Sequence, residues 1–430
     1  MPEYWQGSAI EKSSKEEIYD TSPNEHLYTV IILEGRKQVT GLNKIHIKEF
    51  DSVIDLLEEL DREGITGEAR AGIYKRYLNT IARQHGVPLC GSFELTPLCN
   101  FDCKMCYVHL NKEQMQGRPL LTTDQWIDIM DHAIDAGMMY ADLTGGECLS
   151  YPGFREIYLH LRSRGIGVVI LTNGQLLTEE LADLFAQYPP DSLQMTVYGS
   201  NEDAYEAVTG RRAFEDVKRA IQLLKDRNIR TFLSITPSRY IQKDIGELLT
   251  FLHSTGLRFG VGISSISARD DTGRNLSDYA PEADFYVRFH REQMQFIDPL
   301  SQPQKKTSPA WVAIPKGFSP QTMLACSSGQ STFHMNWKGE MYPCIPFHSV
   351  NRSVLEHGFE NCWAWIKEQM KTYVPPSECM TCTNRSVCDV CSAERTMGIL
   401  NGPLNKMACE KCELLVKNGI KTLPAEQECL

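Results

Sequence analysis

Between residues 90 and 270, short apolar runs alternate with stretches whose apolar positions recur every three or four residues. The alternation repeats at intervals of roughly 30 residues, the spacing that parallel βα units require. Six strands are expected, centred on Phe93–Leu95, Tyr140–Leu143, Gly167–Leu171, Leu193–Val197, Thr231–Ile235 and Phe259–Ile263. The helices between them carry their own end signals. Thr122-Thr123-Asp124-Gln125 is a capping-box sequence, Trp126, Ile129, Met130 and Ala133 form one apolar face, and Gly137 stands where a C-terminal stop belongs. Similar faces occur at Leu181/Leu184/Phe185, Val217/Ala220/Ile221/Leu224 and Ile245/Leu248/Leu249/Leu252, and Gly165 and Gly256 each close a helix before the next strand. The pattern predicts an α/β fold built as an open, partial (β/α)6 barrel, with its chemistry at the C-terminal ends of the strands.

The flanks read differently. Residues 1–88 contain one strand-like run, Tyr28–Leu33, and two helical patterns, Phe50–Asp61 and Glu68–Gln84, which predict a small N-terminal α+β domain. Residues 271–320, entered through Arg269-Asp270-Asp271 and punctuated by Pro281 and Pro309, read as a bridge. Residues 89–270 are then the barrel, and residues 321–430 a cysteine-rich C-terminal domain. A chain of 430 residues exceeds what one hydrophobic core supports, so several domains are expected.

Composition narrows the partners. The chain is 42% hydrophobic and 23% charged, as in an ordinary globular protein, with no low-complexity tract. Its formal charge is −11 and its Lys and Arg are scattered, which leaves no footprint for a nucleic-acid backbone. Met1–Ser8 lacks a basic stretch followed by an apolar core, and runs such as Val168–Leu171 are too short to span a bilayer. A cytoplasmic protein without nucleic-acid or membrane partners is expected. Fifteen cysteines in a reducing compartment point to metal ligation rather than disulfides, and ten of them follow residue 320.

Directly after the first expected strand comes Cys99-Asn-Phe-Asp-Cys103-Lys-Met-Cys106. Three thiolates from one short loop can bind three irons of a cubane and leave the fourth open; a zinc knuckle is the alternative reading of the bare spacing. The loop resembles the CxxxCxxC motif of the radical S-adenosylmethionine (radical SAM) superfamily. The resemblance continues in order along the chain. Thr144-Gly145-Gly146-Glu147 follows the second strand, Leu171-Thr172-Asn173-Gly174 ends the third, and Met195-Thr196-Val197-Tyr198-Gly199 lies in the fourth. It implies a [4Fe–4S] cluster on Cys99, Cys103 and Cys106, the catalytic set, whose open iron is chelated by the methionine part of S-adenosylmethionine. Reductive cleavage then yields a 5′-deoxyadenosyl radical. By the same resemblance Gly145 and Gly146 let the backbone approach the cofactor and Glu147 engages its ammonium group. Thr196 offers its hydroxyl to the ribose and Met105 its backbone to the adenine. Asn173 belongs to this set too, with a plain turn residue as its alternative.

The C-terminal cysteines form a second pattern: Cys326, then Gly339-Glu-Met-Tyr-Pro-Cys344, then Cys379-x2-Cys382-x5-Cys388-x2-Cys391, then Cys409 with Cys412 beyond. Phe333–Trp337 before Lys338-Gly339 predicts a hairpin strand that brings Cys326 near Cys344. Taken alone, the paired CxxC units read as a zinc site. Together with the upstream motifs they resemble the SPASM domain, the auxiliary-cluster module of peptide- and protein-modifying radical enzymes. That resemblance implies a distal cluster on Cys379, Cys382, Cys388 and Cys409, with Cys412 as the alternative to Cys409. It implies a nearer cluster on Cys326, Cys344 and Cys391, and thus three [4Fe–4S] clusters in all. Some family members complete the nearer cluster with a cysteine shortly after the first; here Ser327 to Thr332 contains none, which leaves an open iron as a hypothesis. Cys90, Cys148, Cys362 and Cys429 read as buried or incidental thiols.

The expected activity is therefore hydrogen abstraction from a peptide or protein, most naturally to install a thioether or carbon–carbon cross-link in a precursor peptide with a leader. A reducing flavodoxin or ferredoxin is the expected electron donor. Anaerobic sulfatase-maturating enzymes carry an aspartate after the GxxxxC cysteine, whereas Cys344 is followed by Ile345. That type of protein oxidation, and a non-catalytic zinc or iron–sulfur binding protein, are the alternatives. Residues 1–88 are long enough to hold a domain that takes up the leader as an added strand, with Tyr28–Leu33 as its edge.

Overall fold

Side-chain alternation decides the layers of the main sheet. In the strand Ser192–Thr196, Leu193 and Met195 are fully buried, while Gln194 and Thr196 line an internal cavity. The computed structural model of the chain describes residues 16–20, 44–261, 276–295, 311–319, 322–324, 326–388 and 390–421. The expected strand Tyr28–Leu33 lies outside them, as does Ile263.

The described chain begins with β1 (Glu16–Asp20), β2 (Lys44–Phe50), α1 (Val53–Arg62) and α2 (Gly67–His85). Helix α1 starts three residues later than its apolar pattern suggests. Ser52 is its N-cap, its hydroxyl accepting from Asp55 N, and Phe50 stays in β2. The barrel strands follow as β3 (Cys90–Glu94), β4 (Tyr140–Thr144), β5 (Gly167–Thr172), β6 (Ser192–Thr196), β7 (Thr231–Ile235) and β8 (Arg258–Val261). All six are parallel neighbours in chain order. Their outer face is covered by α3 (Thr123–Asp135), α4 (Phe154–Ser163), α5 (Glu179–Gln187), α6 (Glu202–Thr209), α7 (Phe214–Asp226) and α8 (Ile245–Ser254). In α3 both bonds of the Thr122/Gln125 capping box form, and Trp126, Ile129, Met130 and Ala133 are all buried. Phe93 of β3 meets Trp126 edge-on at 6.1 Å, which fixes the outer face of that strand against α3.

Beyond the barrel come α9 (Asp284–Gln295), β9 (Trp311–Pro315), β10 (Thr332–Met335), β11 (Glu340–Tyr342), β12 (Arg352–Ser353), α10 (Phe359–Lys371) and α11 (Lys406–Lys417). Two pairings join distant parts of the chain. Strand β9, from the bridge, lies parallel to β2 and completes a three-stranded sheet in the order β1-β2-β9. Its Trp311 packs on Phe50 and donates to Glu63 at 2.8 Å, within a small core with Leu56, Leu60, Ile73 and Tyr77. Strand β10 pairs parallel with β3, so the expected hairpin β10–β11 continues the barrel sheet to nine strands. Asn336 shapes its turn, its side-chain oxygen accepting from Lys338 N and Glu340 N at 3.0 Å each, while Gly339 takes a φ of +77°. Among the described residues no helix is long and apolar enough to cross a membrane.

Helix α2 ties the first segment to the rest. Lys75, Asn79 and Arg83 recur every four residues and share one face. Lys75 sits over the Tyr140 ring at 3.9 Å, Ser331 Oγ donates to Asn79 Oδ1 at 2.5 Å, and Arg83 lies beside Cys326.

Candidate active site

The loops that follow β3 and β4 run side by side at the mouth of the barrel. Leu95 N donates to Thr144 O, Gly146 N to Thr96 O at 2.6 Å, and Glu147 N to Leu98 O at 3.0 Å. This pairing leaves no room for side chains between the loops. A Cβ on Gly145 would come within 2.6 Å of Thr96 O, and one on Gly146 would collide with Leu98 O. The glycines are thus fixed by the neighbouring backbone of the cysteine loop. That loop is held from its other side by α6, whose terminal carbonyls at Thr209 and Val208 accept from Asp102 N and Lys104 N at 2.9 and 3.0 Å.

Cys99, Cys103 and Cys106 all line one cavity of about 250 Å³, together with Met105, Gly145, Gly146, Asn173 and Thr196. Backbone N–H groups point at two of the sulfurs: Phe101 N donates to Cys99 Sγ at 3.4 Å and His109 N to Cys106 Sγ at 3.2 Å. Such donors suit thiolates that bind iron. Burial, with Glu147 and Cys106 nearby, pushes the Cys99 thiol up to about 12, so a metal must displace its proton. Among the described residues no three His, Cys, Asp or Glu side chains converge where a single ion could sit. A cubane needs no such point, because each of its irons takes its own cysteine. The donor set therefore fits a cluster held at three corners.

Glu147 is buried beside the cysteine loop and bonded to the next strand. It is 1% exposed, does not line the cavity, and its carboxylate accepts from Thr172 Oγ1 at 2.7 Å, Asn173 N at 2.8 Å and Leu149 N at 3.0 Å. Burial raises its pKa and these bonds oppose the rise. The side chain ties the end of β4 to the end of β5. Asn173 holds its turn and lines the cavity. Its oxygen accepts from Gln175 N, and its amide donates to Asn100 Oδ1 at 2.8 Å and to Cys99 Sγ at 3.6 Å.

Other walls of the cavity were given no role by the sequence: Gln194, Ser234, Thr236 and Tyr279, with Tyr198, which lies in the strand-four motif without an assigned task. Polar residues at alternate positions of otherwise apolar strands were the available signal for Gln194 and Ser234. Tyr198 packs edge-on to Phe101, and its phenol is pushed well above its usual range by burial and by Cys103, Cys99 and Cys106 around it. Ile345 also lines this cavity, one residue beyond Cys344.

The C-terminal cysteines fall into two groups. Cys326, Cys344 and Cys391 adjoin one another: burial raises the Cys344 thiol, and Cys391 and Cys326 raise it further. Cys391 is likewise pushed up to about 11 by burial and Cys326. Cys409 interacts electrostatically with Cys379, Cys388 and Cys382, of which Cys382 is exposed. Cys412 is buried and hydrogen-bonds to Cys388, which together with Arg395 lowers the Cys388 pKa.

Residues 93–252 match the family model described as the Radical SAM superfamily. This chain carries a radical SAM domain. It is an enzyme of the radical SAM type, with S-adenosylmethionine and a [4Fe–4S] cluster as the domain's cofactors. The antilisterial bacteriocin subtilosin biosynthesis protein AlbA of Bacillus subtilis is 24% identical over 335 residues, 77% of this chain and 66% of AlbA. The mycofactocin maturase MftC of Mycobacterium tuberculosis is 26% identical over 302 residues, 67% of this chain and 73% of MftC. Two solved structures share the fold of this radical SAM enzyme. Streptococcus suis SuiB bound to precursor peptide SuiA gives a TM-score of 0.57 at 15% identity, over 89% of this chain and 86% of SuiB. The anSMEcpe structure with bound AdoMet gives 0.58 at 15% identity, over 77% of this chain and 97% of that one.

Proposed function

We propose that this radical SAM enzyme modifies a ribosomally made precursor peptide, installing a thioether or carbon–carbon cross-link with the aid of two auxiliary [4Fe–4S] clusters. One observation carries the reading. Ile345, adjacent to Cys344, lines the same cavity as Cys99, Cys103 and Cys106. The three-thiol group of Cys326, Cys344 and Cys391 therefore borders the space in which a substrate would meet the cofactor.

When bound, S-adenosylmethionine and its cluster supply a 5′-deoxyadenosyl radical that takes hydrogen from a substrate carbon. Cys99, Cys103 and Cys106 hold three irons and leave one for the cofactor. Gly145 and Gly146 keep the β4 loop's backbone at the cavity, Thr196 offers a hydroxyl to the ribose, and Met105 offers backbone groups to the adenine. Phe101, Tyr198, Tyr279 and Ile345 keep water from the reacting carbon. The nearer auxiliary site, with three thiolates, keeps a corner for a substrate thiolate. Cys379, Cys382, Cys388 and Cys409 hold the distal cluster, and a flavodoxin or ferredoxin delivers electrons. An apolar Ile345 where sulfatase-maturating enzymes place a carboxylate supports cross-linking over that oxidation, because this position cannot accept a proton.

The test is to incubate reconstituted enzyme, reductant and S-adenosylmethionine with candidate precursor peptides, any short peptide encoded beside its gene first. Loss of two hydrogen atoms per link, located by fragmentation, is expected. An unchanged peptide, alongside oxidation of a sulfatase-type cysteine peptide to an aldehyde, would overturn the reading.

A further inference from the structure

Two half-buried arginines flank the C-terminal cysteines, each with guanidinium nitrogens out of water. Arg83, in the last turn of α2, holds Nε and Nη2 out of water with no hydrogen-bond partner, and its charge acts on Cys326. Arg395 donates from Nη2 to Cys388 Sγ at 3.6 Å, while its Nε is buried and unpartnered. Its charge reaches Cys326, Cys379 and Cys388. Among the described residues neither arginine is paired with an aspartate or glutamate.

A cation held partly out of water without an anion opposes folding. Neutral thiols do not supply that anion. Three thiolates, however, outnumber the positive charges of a cubane core in either oxidation state, and cluster sulfurs accept N–H bonds. Arg83 is also aimed deliberately, for Asn79 one turn earlier is fixed by Ser331 and Lys75 a turn before that by Tyr140. The same helix face thus carries one cation to the barrel and one to the cysteine site.

We infer that Arg83 is the counter-ion of the nearer auxiliary cluster, with Arg395 shared between the nearer and distal sites, and that Arg83 holds the nearer cluster's reduction potential above the value its thiolates alone would give. The inference rests on the reading that Cys326, Cys344 and Cys391 bind a cluster. It makes the segment ahead of the radical SAM domain part of the redox site.

The test compares full-length wild type, Arg83→Gln and Arg83→Lys, each reconstituted, by iron and sulfide content and by redox titration followed by electron paramagnetic resonance. The signal missing from Cys344→Ala identifies the nearer cluster. In Arg83→Gln the ratio of reduced to oxidised nearer cluster at a fixed potential should fall roughly tenfold, about 59 mV for a one-electron couple. Arg83→Lys should restore most of that ratio. Loss of the nearer cluster in Arg83→Gln with retention in Arg83→Lys also supports the counter-ion role. An unshifted potential in a fully loaded Arg83→Gln, or equal iron loss in both variants, overturns it. Wild type holding iron for only one cluster would instead sink the auxiliary-cluster reading, and this inference with it.

Discussion

A side chain on Gly146 would run into the carbonyl oxygen of Leu98, so the cysteine loop and the loop after β4 meet backbone to backbone. Gly146→Ala should therefore push the two loops apart. Overpacking of this kind costs about 1–3 kcal/mol, and here the displacement falls on the cavity itself. The expected outcome is at least a tenfold loss of S-adenosylmethionine affinity by calorimetry with the auxiliary iron retained. Unchanged affinity would show that the contact is not part of the cofactor site.

Asn173 offers a finer probe, since its amide reaches both Asn100 and Cys99. Asn173→Ala removes both bonds without enlarging any neighbour. Losing a hydrogen bond to a charged group costs about 1.5–3 kcal/mol, so 5′-deoxyadenosine formation should slow by roughly 10- to 100-fold. Iron content separates this effect from loss of the cluster.

Five thiols, those of Cys379, Cys382, Cys388, Cys409 and Cys412, lie where the proposed distal cluster needs four. Cys409 interacts with Cys379, Cys382 and Cys388, whereas Cys412 hydrogen-bonds to Cys388 from a buried position. Cys409→Ala should lose about a third of the total iron, and Cys412→Ala should keep nearly all of it. The opposite pattern in an iron assay would exchange their roles.

Asp142 gives a pH prediction away from the reacting centre. It lies in the barrel interior, where burial pushes its carboxyl up to about 6 from an ordinary 3.8, and Lys75 opposes the rise. Between those values the folded chain keeps a proton that the unfolded chain has released. The stabilisation is complete below about 4 and is lost as pH rises through 6, a change on the order of 3 kcal/mol. Asp142→Asn removes that slope, so its melting temperature relative to wild type should rise between about pH 4 and pH 6 and level off above about pH 7. A constant difference would place the charge elsewhere.

What the chain discloses locally, it discloses well. The six barrel strands and the capped α3 were legible because alternation and helical spacing sit within single short windows. The cysteine loop was legible for the same reason. Pairing of β10 with β3 and of β9 with β2 was not, because each joins segments more than two hundred residues apart. Tyr198, Gln194 and Tyr279 meet at the cavity only because β6 and the segments after β6 and β8 come together in the folded barrel. The direction of Glu147 was equally hidden: the tripeptide places the residue, but Thr172 and Asn173 on the next strand decide where its carboxylate points. Arg83 belongs to no motif, and only the packing of α2 against Ser331 and Cys326 gives it a task.

The central claim is that Cys99, Cys103 and Cys106 hold a cluster whose remaining corner takes S-adenosylmethionine. Anaerobic enzyme given dithionite and S-adenosylmethionine tests it most directly, with 5′-deoxyadenosine read by chromatography. The account predicts 5′-deoxyadenosine from wild type and none from a Cys99→Ala/Cys103→Ala/Cys106→Ala triple variant that retains its auxiliary iron. Equal yields from the two proteins, or no product from wild type with all clusters loaded, would contradict it.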